Sequence, residues 1–401
     1  MMPARATAIA IGVLAVVAGL LAMTAALVVP AGLPYDEPAH WSNVLFYAEH
    51  LGPPVLGDPG VSYQGQQTPL YYALAAVLVR VVGDADAAFL AVRLLGVAGA
   101  VALTLLTAGI LARSIPGRPM VILTGTAFIA LNPMFAVIAG SVQNDTWTLV
   151  WAFVLLWAAL PFVDPSHPAP RPWAWGLLLG ALGSAAILTK LSIAPLVAIV
   201  LVLLLVRRRI VMALTAGAVV LAACGWWIVR NLLLYGDLTG QAGVEQAGYE
   251  FGQGALGPLH LARSALTYLF LPTEYLRNSI SAPWWIDAVV VVLGLAIAAG
   301  GVLLAVRARR DCAPGAVLLL VVVGAVSVAA WLVQVTFGWH VAFRTGYGVL
   351  PLVALAFGCA TQAIPSRRGG IAIGVMLGML LLVVAGWVAV AASAEPAQLV
   401  P

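Results

Sequence analysis

The sequence predicts an all-α polytopic membrane protein, a single bundle of transmembrane helices over residues 1–401. Hydrophobic residues make up 63% of the chain and charged residues only 8%, whereas a soluble globular chain carries about 25% charged residues. A water-soluble fold of this length has no interior large enough to bury so much apolar surface. At about 20 apolar residues for each span plus short loops, the length leaves room for about 11–13 spans.

The apolar runs divide the chain into candidate spans. The run at 8–29 follows Arg5 and is as long as a spanning helix, so we expect an uncleaved first span with its N-terminus inside. The run at 69–83 is the weakest candidate for a full crossing, because about 15 residues are short for a hydrocarbon core of about 30 Å. If it did cross, the two arginines of 113–118 would lie outside. The remaining apolar runs lie at about 87–112, 119–139, 146–162, 173–189, 192–206, 210–229, 284–306, 315–333, 345–364 and 371–392.

Charge places the loops on two sides of a plasma membrane. The loop at about 30–68 holds acidic residues and histidines without any lysine or arginine, and this composition is typical of an outer loop. A second long polar stretch, about 230–283, falls on the same side. The basic residues instead form short clusters at 207–209, 307–310 and 367–368, as in cytoplasmic loops. The clusters therefore argue for a multi-pass protein with its polar face outward, and against a nucleic-acid partner.

The first outer loop opens with a group of ionisable residues close to the membrane. The segment 36–41, Asp-Glu-Pro-Ala-His-Trp, predicts a short juxtamembrane helix with Asp36 near its N-cap. One interpretation is a capped surface helix. A cap needs a single acid, however, and here two acids are followed one turn later by His40. The other interpretation is a catalytic Asp36 that acts as a general base, with Glu37 or His40 placing a metal ion or orienting the acceptor.

This loop resembles that of the GT-C superfamily of integral membrane glycosyltransferases, which includes protein O-mannosyltransferases and lipid A aminoarabinose transferases. In that superfamily the first span is followed by an acidic pair, matched here by Asp36 and Glu37. The loop then closes with a His/Gln-Pro-Pro-Leu-Tyr-Tyr-like element, and Gln66-Gln67-Thr68-Pro69-Leu70-Tyr71-Tyr72 stands in its place. The chain departs from the pattern at Gln67, where histidine is common, and at Thr68, where proline is common.

Further motifs follow in the order that the superfamily shows. They are Gln143-Asn144-Asp145 at the outer end of a helix, Thr189-Lys190-Leu191, Arg230-Asn231 with Tyr235-Gly236-Asp237, and the Arg344–Pro351 stretch. The resemblance covers nearly the whole chain and implies a GT-C-like fold with a polyprenyl phosphate sugar donor. It also implies that acidic residues of the outer loop meet basic side chains near the membrane surface.

The chain has basic side chains that could lie near the membrane surface beside these acidic residues. A departing phosphate at the bilayer edge needs fixed positive charges, and the candidates are Lys190, Arg230, Arg277 and Arg344. For each of them, snorkelling or structural pairing is the alternative. The remaining candidate substrate-binding residues are His40, Gln66, Gln67, Asn144 and Asp145.

The resemblance, together with these residues, implies an inverting membrane glycosyltransferase that moves a sugar from a polyprenyl phosphate to a glycan, lipid or protein acceptor on the outer face. Asp36 would take the acceptor proton, and Arg344 with Lys190 would hold the phosphate. Glu37 and Asp145 would be metal ligands or hydrogen-bond partners. No cofactor is assigned, and a divalent ion stays open because it needs more oxygen ligands than the motifs supply.

The alternative is a multi-span transporter or flippase of a lipid-linked or small polar substrate. The absence of a repeated pair of interrupted helices and the gathering of polar residues on one face argue against it. A catalytically silent lipid-binding subunit is a third class that the sequence leaves open. Acids and bases around one outer cavity would favour an enzyme, whereas charges spread along a path across the membrane would favour transport.

Overall fold

The computed structural model describes residues 4–50, 52–249, 257–272, 284–313, 315–336 and 342–361, with single positions between 374 and 392. These residues form helices joined by turns, which confirms the all-α prediction. In chain order the helices are α1 (Ala4–Val28), α2 (Glu37–Glu49), α3 (Leu70–Val82), α4 (Ala85–Ser114), α5 (Pro119–Ala130), α6 (Pro133–Ala139), α7 (Asp145–Ala159), α8 (Pro172–Thr189), α9 (Ala194–Val206), α10 (Ile210–Tyr235), α11 (Gln241–Gln246), α12 (Pro258–Phe270), α13 (Trp284–Asp311), α14 (Ala316–Thr336) and α15 (Leu350–Thr361).

The helices are those of a multi-pass membrane protein. In the part of the chain that the structure describes, seven are long and apolar enough to cross a membrane, and the bent pair α5–α6 raises that number to eight. Three shorter apolar helices, Leu70–Val82, Leu191–Val206 and Val290–Val306, follow further apolar runs. The predicted number of spans, 11–13, is larger than the number of long helices described, because an apolar run also arises where a short helix packs beside its neighbours. The predicted run at 371–392 lies outside the continuous described ranges.

Helix α3 runs beside α2 along its whole length. Near its start, the Tyr72 hydroxyl lies 2.7 Å from Nδ1 of His40, and near its end Arg80 Nε donates to the Ala48 carbonyl at 2.8 Å. Both partners belong to α2, which begins a few residues after α1 ends. The run at 69–83 therefore stays on one side of the bundle, in agreement with its ranking as the weakest span.

The opposite end of the bundle gathers the basic turns. The amide of Ala313 donates to the Ser114 carbonyl at 2.8 Å, and Arg209 Nη2 donates to the Asp164 carbonyl at 2.8 Å. The turn at 113–118 thus lies at the same end as the 207–209 cluster, as the sign of its arginines requires. When α3 is not counted as a span, the alternation of the spans places the turns at 113–118 and 207–209 on the same side. This agrees with the positive charge of both turns.

Two short 3₁₀ turns carry cations to one end of the bundle. Helix α8 ends at Thr189, and Lys190 adopts an extended backbone (φ −157°, ψ 122°) before a 3₁₀ turn at Leu191–Ile193 leads into α9. A second 3₁₀ turn, Phe343–Val349, carries Arg344 directly before α15. Both turns present their cations at the end of the bundle that also holds α2.

Candidate functional site

Four charged side chains from four separate segments meet at this end of the bundle. Arg344 Nη2 pairs with Asp36 Oδ2, and Arg344 Nη1 donates to Asp145 Oδ2 at 2.7 Å. Lys190 Nζ pairs with the other oxygen of Asp145. The side chains are 5 to 15% exposed. Two carboxylates and two cations thus form one continuous, nearly buried group, which we call the charged cluster.

Asp36 occupies the N-cap position of α2, but its carboxylate makes no capping hydrogen bond. One oxygen pairs with Arg344 and the other accepts a hydrogen bond of 2.7 Å from the Tyr63 hydroxyl. Burial raises the pKa of Asp36, but the Arg344 guanidinium lowers it, and the net pKa lies below the usual 3.8. Asp36 is therefore an ionised carboxylate aimed at a cation. The interpretation of a capped surface helix does not account for these contacts.

Asp145 is the first residue of α7, and its neighbours complete one wall of the site. Arg344 Nη1 also lies 3.2 Å from Gln143 Oε1. Asn144 Nδ2 donates to the Thr189 carbonyl at 3.1 Å and lies 3.4 Å from Gln67 Oε1. Among the described residues, Asn144 Oδ1 is buried with no hydrogen-bond partner. The wall therefore offers an unused acceptor next to the charged cluster.

His40 lies in α2 one turn after Asp36 and is 2% exposed. Burial lowers the pKa of His40 to about 4, and Asp36, Lys190, Asp145 and Arg344 all act on it electrostatically. It is therefore a neutral imidazole at pH 7, with Nδ1 2.7 Å from the Tyr72 hydroxyl. His40 thus faces the same group of charges as Asp36.

Glu37 points away from its neighbour in sequence. It is 0% exposed, and Arg93 donates to both of its oxygens, from Nε at 2.9 Å and from Nη2 at 2.6 Å. The amides of Gly32 and Val142 add hydrogen bonds of 2.9 and 2.8 Å. The acidic pair is thus divided between two partners, Arg344 for Asp36 and Arg93 for Glu37.

Arg93 and Tyr63 are residues that sequence reasoning missed. Arg93 lies inside the apolar run at 87–112, and an arginine within a span is a functional signal that could have identified it. Tyr63 lies in the loop before the Gln-Gln-Thr-Pro element and carries no comparable signal. The role of Tyr63 is visible only in the folded loop, where its hydroxyl reaches Asp36.

Two other predicted residues bind elsewhere in the described part of the chain. Arg230 Nη2 bonds to the Pro54 carbonyl, and its guanidinium carbon lies 4.7 Å from the centre of the Trp227 ring. Gln66 ends a short 3₁₀ turn and packs beside Gly240. Both residues hold neighbouring segments together. Arg277 lies at 273–283, outside the described residues.

The site offers a poor set of ligands for a divalent metal ion. No group of three or more His, Cys, Asp or Glu side chains within the described ranges is placed to hold one. The two carboxylates nearest each other, Asp36 and Asp145, are already neutralised by Arg344 and Lys190. Calcium takes six to eight oxygen ligands and magnesium close to six.

The fold resembles those of solved GT-C membrane glycosyltransferases. ArnT from Cupriavidus metallidurans bound to undecaprenyl phosphate superposes with a TM-score of 0.57 at 16% identity, over 89% of this chain and 61% of ArnT. The archaeal oligosaccharyltransferase AglB from Archaeoglobus fulgidus, in complex with an inhibitory peptide and a dolichol-phosphate, gives 0.56 at 12% identity, over 97% of this chain and 56% of AglB. Both are GT-C membrane glycosyltransferases. The chain spans about three fifths of their length.

No protein-family profile and no curated protein matches the sequence. The resemblance that the motifs indicated is therefore confirmed through the structure, at the level of the fold.

Proposed function

We propose that the chain is an inverting glycosyltransferase that moves a sugar from a polyprenyl phosphate donor to an acceptor on the outer face of the plasma membrane. The observation that carries this proposal is the charged cluster, in which Arg344 lies between Asp36 and Asp145. It joins a base for the acceptor to cations for a leaving phosphate. The two solved GT-C enzymes, one bound to undecaprenyl phosphate and the other in complex with a dolichol-phosphate, support a lipid-linked donor.

Asp36 is the proposed general base. A base must be ionised before the acceptor arrives, and the Arg344 and Tyr63 contacts keep the pKa of Asp36 low. The acceptor hydroxyl loses its proton to Asp36 as its oxygen bonds to the anomeric carbon. At the same time the bond from that carbon to the phosphate oxygen breaks, and its electron pair leaves with the phosphate. A single displacement of this kind inverts the anomeric centre.

Arg344 and Lys190 are the proposed phosphate ligands. In the described structure each already binds a carboxylate, so a phosphate must replace part of the Asp36 and Asp145 contacts. Such an exchange keeps both cations paired and costs less than burying a new charge. It also releases a lone pair of Asp36 for the acceptor proton. Donor binding thereby prepares the base.

The neutral polar residues around the cluster are proposed to bind the sugar or the acceptor. His40 presents an uncharged ring, and Asn144 Oδ1 and the Gln67 amide lie beside Asp145. Neutral donors and acceptors suit hydroxyl groups, which both donate and accept hydrogen bonds. Gln66 and Arg230 are proposed to shape the wall behind them. Arg277 remains a proposed cation of the second outer loop.

Glu37 is proposed to act through position. With four hydrogen bonds from Arg93 and two backbone amides, its carboxylate has its binding capacity filled. It fixes the start of α2 against α4, and hence fixes Asp36. We therefore propose that Glu37 is a positioning residue and does not itself touch the reacting atoms.

We propose an outward orientation of the charged cluster, supported by the distribution of charge. Basic residues prefer the cytoplasmic side, and the turns at 113–118 and 207–209 gather at the end of the bundle away from Asp36. The charged cluster then faces outward, where a glycan, lipid or protein acceptor is available.

The transporter alternative has to be weighed again in the structure. Within the described residues one helix pair, α5–α6, is bent, by 54°, and Lys190 lies in the turn between α8 and α9, so no repeated pair of interrupted helices is found there. The distribution of charge still distinguishes the two classes. The cluster's acids and cations meet one another in a single group at one end of the bundle.

The experiment that tests the proposal offers the purified protein a panel of radiolabelled polyprenyl phosphate sugars with a membrane extract as acceptor. We expect transfer from one of them and none from the corresponding nucleotide sugar. If no donor supports transfer, while the protein in vesicles moves a lipid-linked sugar between leaflets, the transporter class is correct.

A further inference from the structure

The two oxygens of the Asp36 carboxylate have partners of different kinds. Oδ2 pairs with Arg344 Nη2, and Oδ1 accepts a hydrogen bond of 2.7 Å from the Tyr63 hydroxyl. Arg344 is the cation that the proposed function gives to the donor phosphate. The Tyr63 hydroxyl is neutral, and a phosphate gains less from a neutral donor than from a guanidinium. The bond to Oδ1 should therefore persist when the contact to Oδ2 is exchanged.

The hydroxyl that binds Oδ1 belongs to a short turn that is fixed to α2 at two points. The 3₁₀ turn Tyr63–Gln66 begins after Ser62, whose hydroxyl donates to the Ala39 carbonyl at 2.9 Å. Within the turn, the Gln64 carbonyl accepts from Asn43 Nδ2 at 3.1 Å. Both partners of the turn lie in α2. The turn therefore holds the phenol in place beside the carboxylate at the start of that helix.

The Tyr63 ring also contacts the segment that follows α11. Its centre lies 5.7 Å from the centre of the Tyr249 ring, at an interplanar angle of 63°. Aromatic pairs in such an edge contact are stabilised beyond their buried area. The Tyr249 hydroxyl donates to the Val61 carbonyl at 3.4 Å, and the Tyr63 ring packs against the apolar cluster that contains Val61 and Val244. The second outer segment thus restrains the ring, and with it the direction of the hydroxyl.

The Tyr63 hydroxyl keeps its proton at neutral pH. Burial, together with the Asp36 carboxylate that accepts the bond, raises the pKa of Tyr63 above the usual 10. A phenolic O–H that stays protonated is a donor to an ionised acceptor. A hydrogen bond to the charged form of a carboxylate favours that form. Tyr63 therefore helps to keep Asp36 ionised without adding a charge to the site.

On the basis of the proposed function, we infer that Tyr63 is a positioning residue, which holds Oδ1 of Asp36 so that Oδ2 receives the acceptor proton. When the phosphate binds Arg344, Oδ2 is released. The terminal torsion of an aspartate is soft, and the bond to Tyr63 fixes it. The proton of the acceptor hydroxyl then passes to Oδ2, its oxygen bonds to the anomeric carbon, and the phosphate leaves with the electron pair of the broken bond. Tyr63 touches none of the reacting atoms.

The charged and titratable groups that act on Asp36 include Arg344, His40 and Tyr63. Lys190 and Asp145 adjoin them through the second arm of Arg344. Burial lowers the pKa of His40 to about 4, so its ring is neutral at pH 7. In the donor complex Arg344 binds the phosphate. Loss of the Tyr63 hydroxyl should then raise the pKa of Asp36, because the carboxylate loses a hydrogen bond to its charged form.

The test compares Tyr63→Phe with the parent in single-turnover transfer as a function of pH, beside donor binding and thermal unfolding. A base must be ionised, so the rate falls as the pH drops through the pKa of Asp36 in the donor complex. In Tyr63→Phe the midpoint of this fall should move to higher pH by about one unit. The rate above that midpoint should fall by about tenfold, because the carboxylate loses its fixed direction. Donor affinity should stay parental, since Arg344 and Lys190 are unchanged.

Tyr249→Phe is the matched control. It also removes a phenolic hydroxyl from the outer segments, but that hydroxyl binds the Val61 carbonyl. Its rate and the midpoint of its pH profile should stay parental. Tyr249→Ala instead removes the ring that packs on Tyr63, and it should shift the midpoint in the same direction as Tyr63→Phe by a smaller amount. This variant decides the matter if Tyr63→Phe does not fold.

A folded Tyr63→Phe protein with parental rate and parental midpoint would overturn the inference alone, even if its thermal stability were lower, because Tyr63 would then be only a tether of the loop. Weaker donor binding at an unchanged rate would overturn it as well. If the parent transfers no sugar from any polyprenyl phosphate, the proposed function fails and the inference fails with it.

Discussion

Arg93 and Glu37 form a buried ion pair in which the guanidinium donates to both carboxylate oxygens, at 2.9 and 2.6 Å. Arg93 Nη1 also donates to the carbonyls of Ala26 and Val29, both at 2.8 Å. The pair joins the end of α1, the start of α2 and α4 at one point. Asp36 precedes Glu37 directly, so its direction towards Arg344 depends on this anchor.

The first prediction is that Glu37→Gln lowers the thermal stability of the protein. The substitution leaves the guanidinium of Arg93 buried without its counter-charge, and breaking a buried pair in this way costs about 3–5 kcal/mol. Thermal unfolding in detergent measures the loss, with Glu49→Gln at the exposed end of α2 as the control. Transfer by the folded protein should fall as well, because Asp36 loses the anchor that directs it towards Arg344. A Glu37→Gln protein with parental stability and no transfer would show a direct catalytic role instead.

The second prediction concerns Arg344. The two arms of its guanidinium reach Asp36 and Asp145 at once, and an ammonium group has no such planar fork. Arg344→Lys should therefore weaken donor binding by about tenfold or more, although the charge is kept. Equilibrium binding of a polyprenyl phosphate measures the effect, beside Arg118→Lys at the opposite end of the bundle. Equal donor affinity in parent and Arg344→Lys would remove Arg344 from the phosphate site.

The third prediction concerns pH. The pKa of His40 is lowered from 6.5 to about 4 by burial, so between these values the unfolded chain binds a proton that the folded chain does not. Stability should therefore be complete above pH about 6.5 and fall as the pH drops towards 4. His40→Asn should flatten this dependence of the unfolding temperature, whereas His50→Asn, at an exposed position, should leave it unchanged. An unaltered slope in His40→Asn would mean that another group is responsible.

The fourth prediction concerns topology. Positions 58 and 208 are both exposed and lie on opposite sides in the proposed orientation. In a background without the three native cysteines, a membrane-impermeant thiol reagent should label a cysteine at 58 in intact cells and should reach 208 only after the membrane is opened. Labelling of 208 but not of 58 would reverse the outward orientation.

The sequence was sufficient to identify the members of the charged cluster but not their pairing. Asp36, Asp145, Lys190 and Arg344 were each chosen because an ionisable residue at the membrane edge is costly, and the structure brings all four together. Which cation binds which acid depends on tertiary packing, and the order of the residues along the chain does not reveal this pairing.

The acidic pair shows why the partners of individual charged residues could not be predicted from the sequence. Successive residues of a helix point about 100° apart, so Asp36 and Glu37 at the start of α2 face different partners. The sequence treats them as one motif. The run at 69–83 is apolar yet packs beside α2, and its short length was the feature of the sequence that marked it as the weakest span.

The most direct test of the account is Asp36→Asn. Asparagine is nearly isosteric with aspartate but has no negative charge, so the substitution removes the base while keeping the shape of the site. Arg344 keeps its contact with Asp145, and the freed arm of its guanidinium should let the donor phosphate bind at least as tightly as in the parent. Loss of general-base action lowers the rate by about a hundredfold to ten-thousandfold.

The measurement is single-turnover transfer, together with donor binding and thermal unfolding in detergent, with Asp58→Asn from the exposed part of the same loop as the control. The account predicts a folded Asp36→Asn protein that binds donor and transfers at no more than about a hundredth of the parental rate, with a control like the parent. If Asp36→Asn kept more than about a tenth of the parental rate, Asp36 would not be the base and the assignment would pass to Asp145.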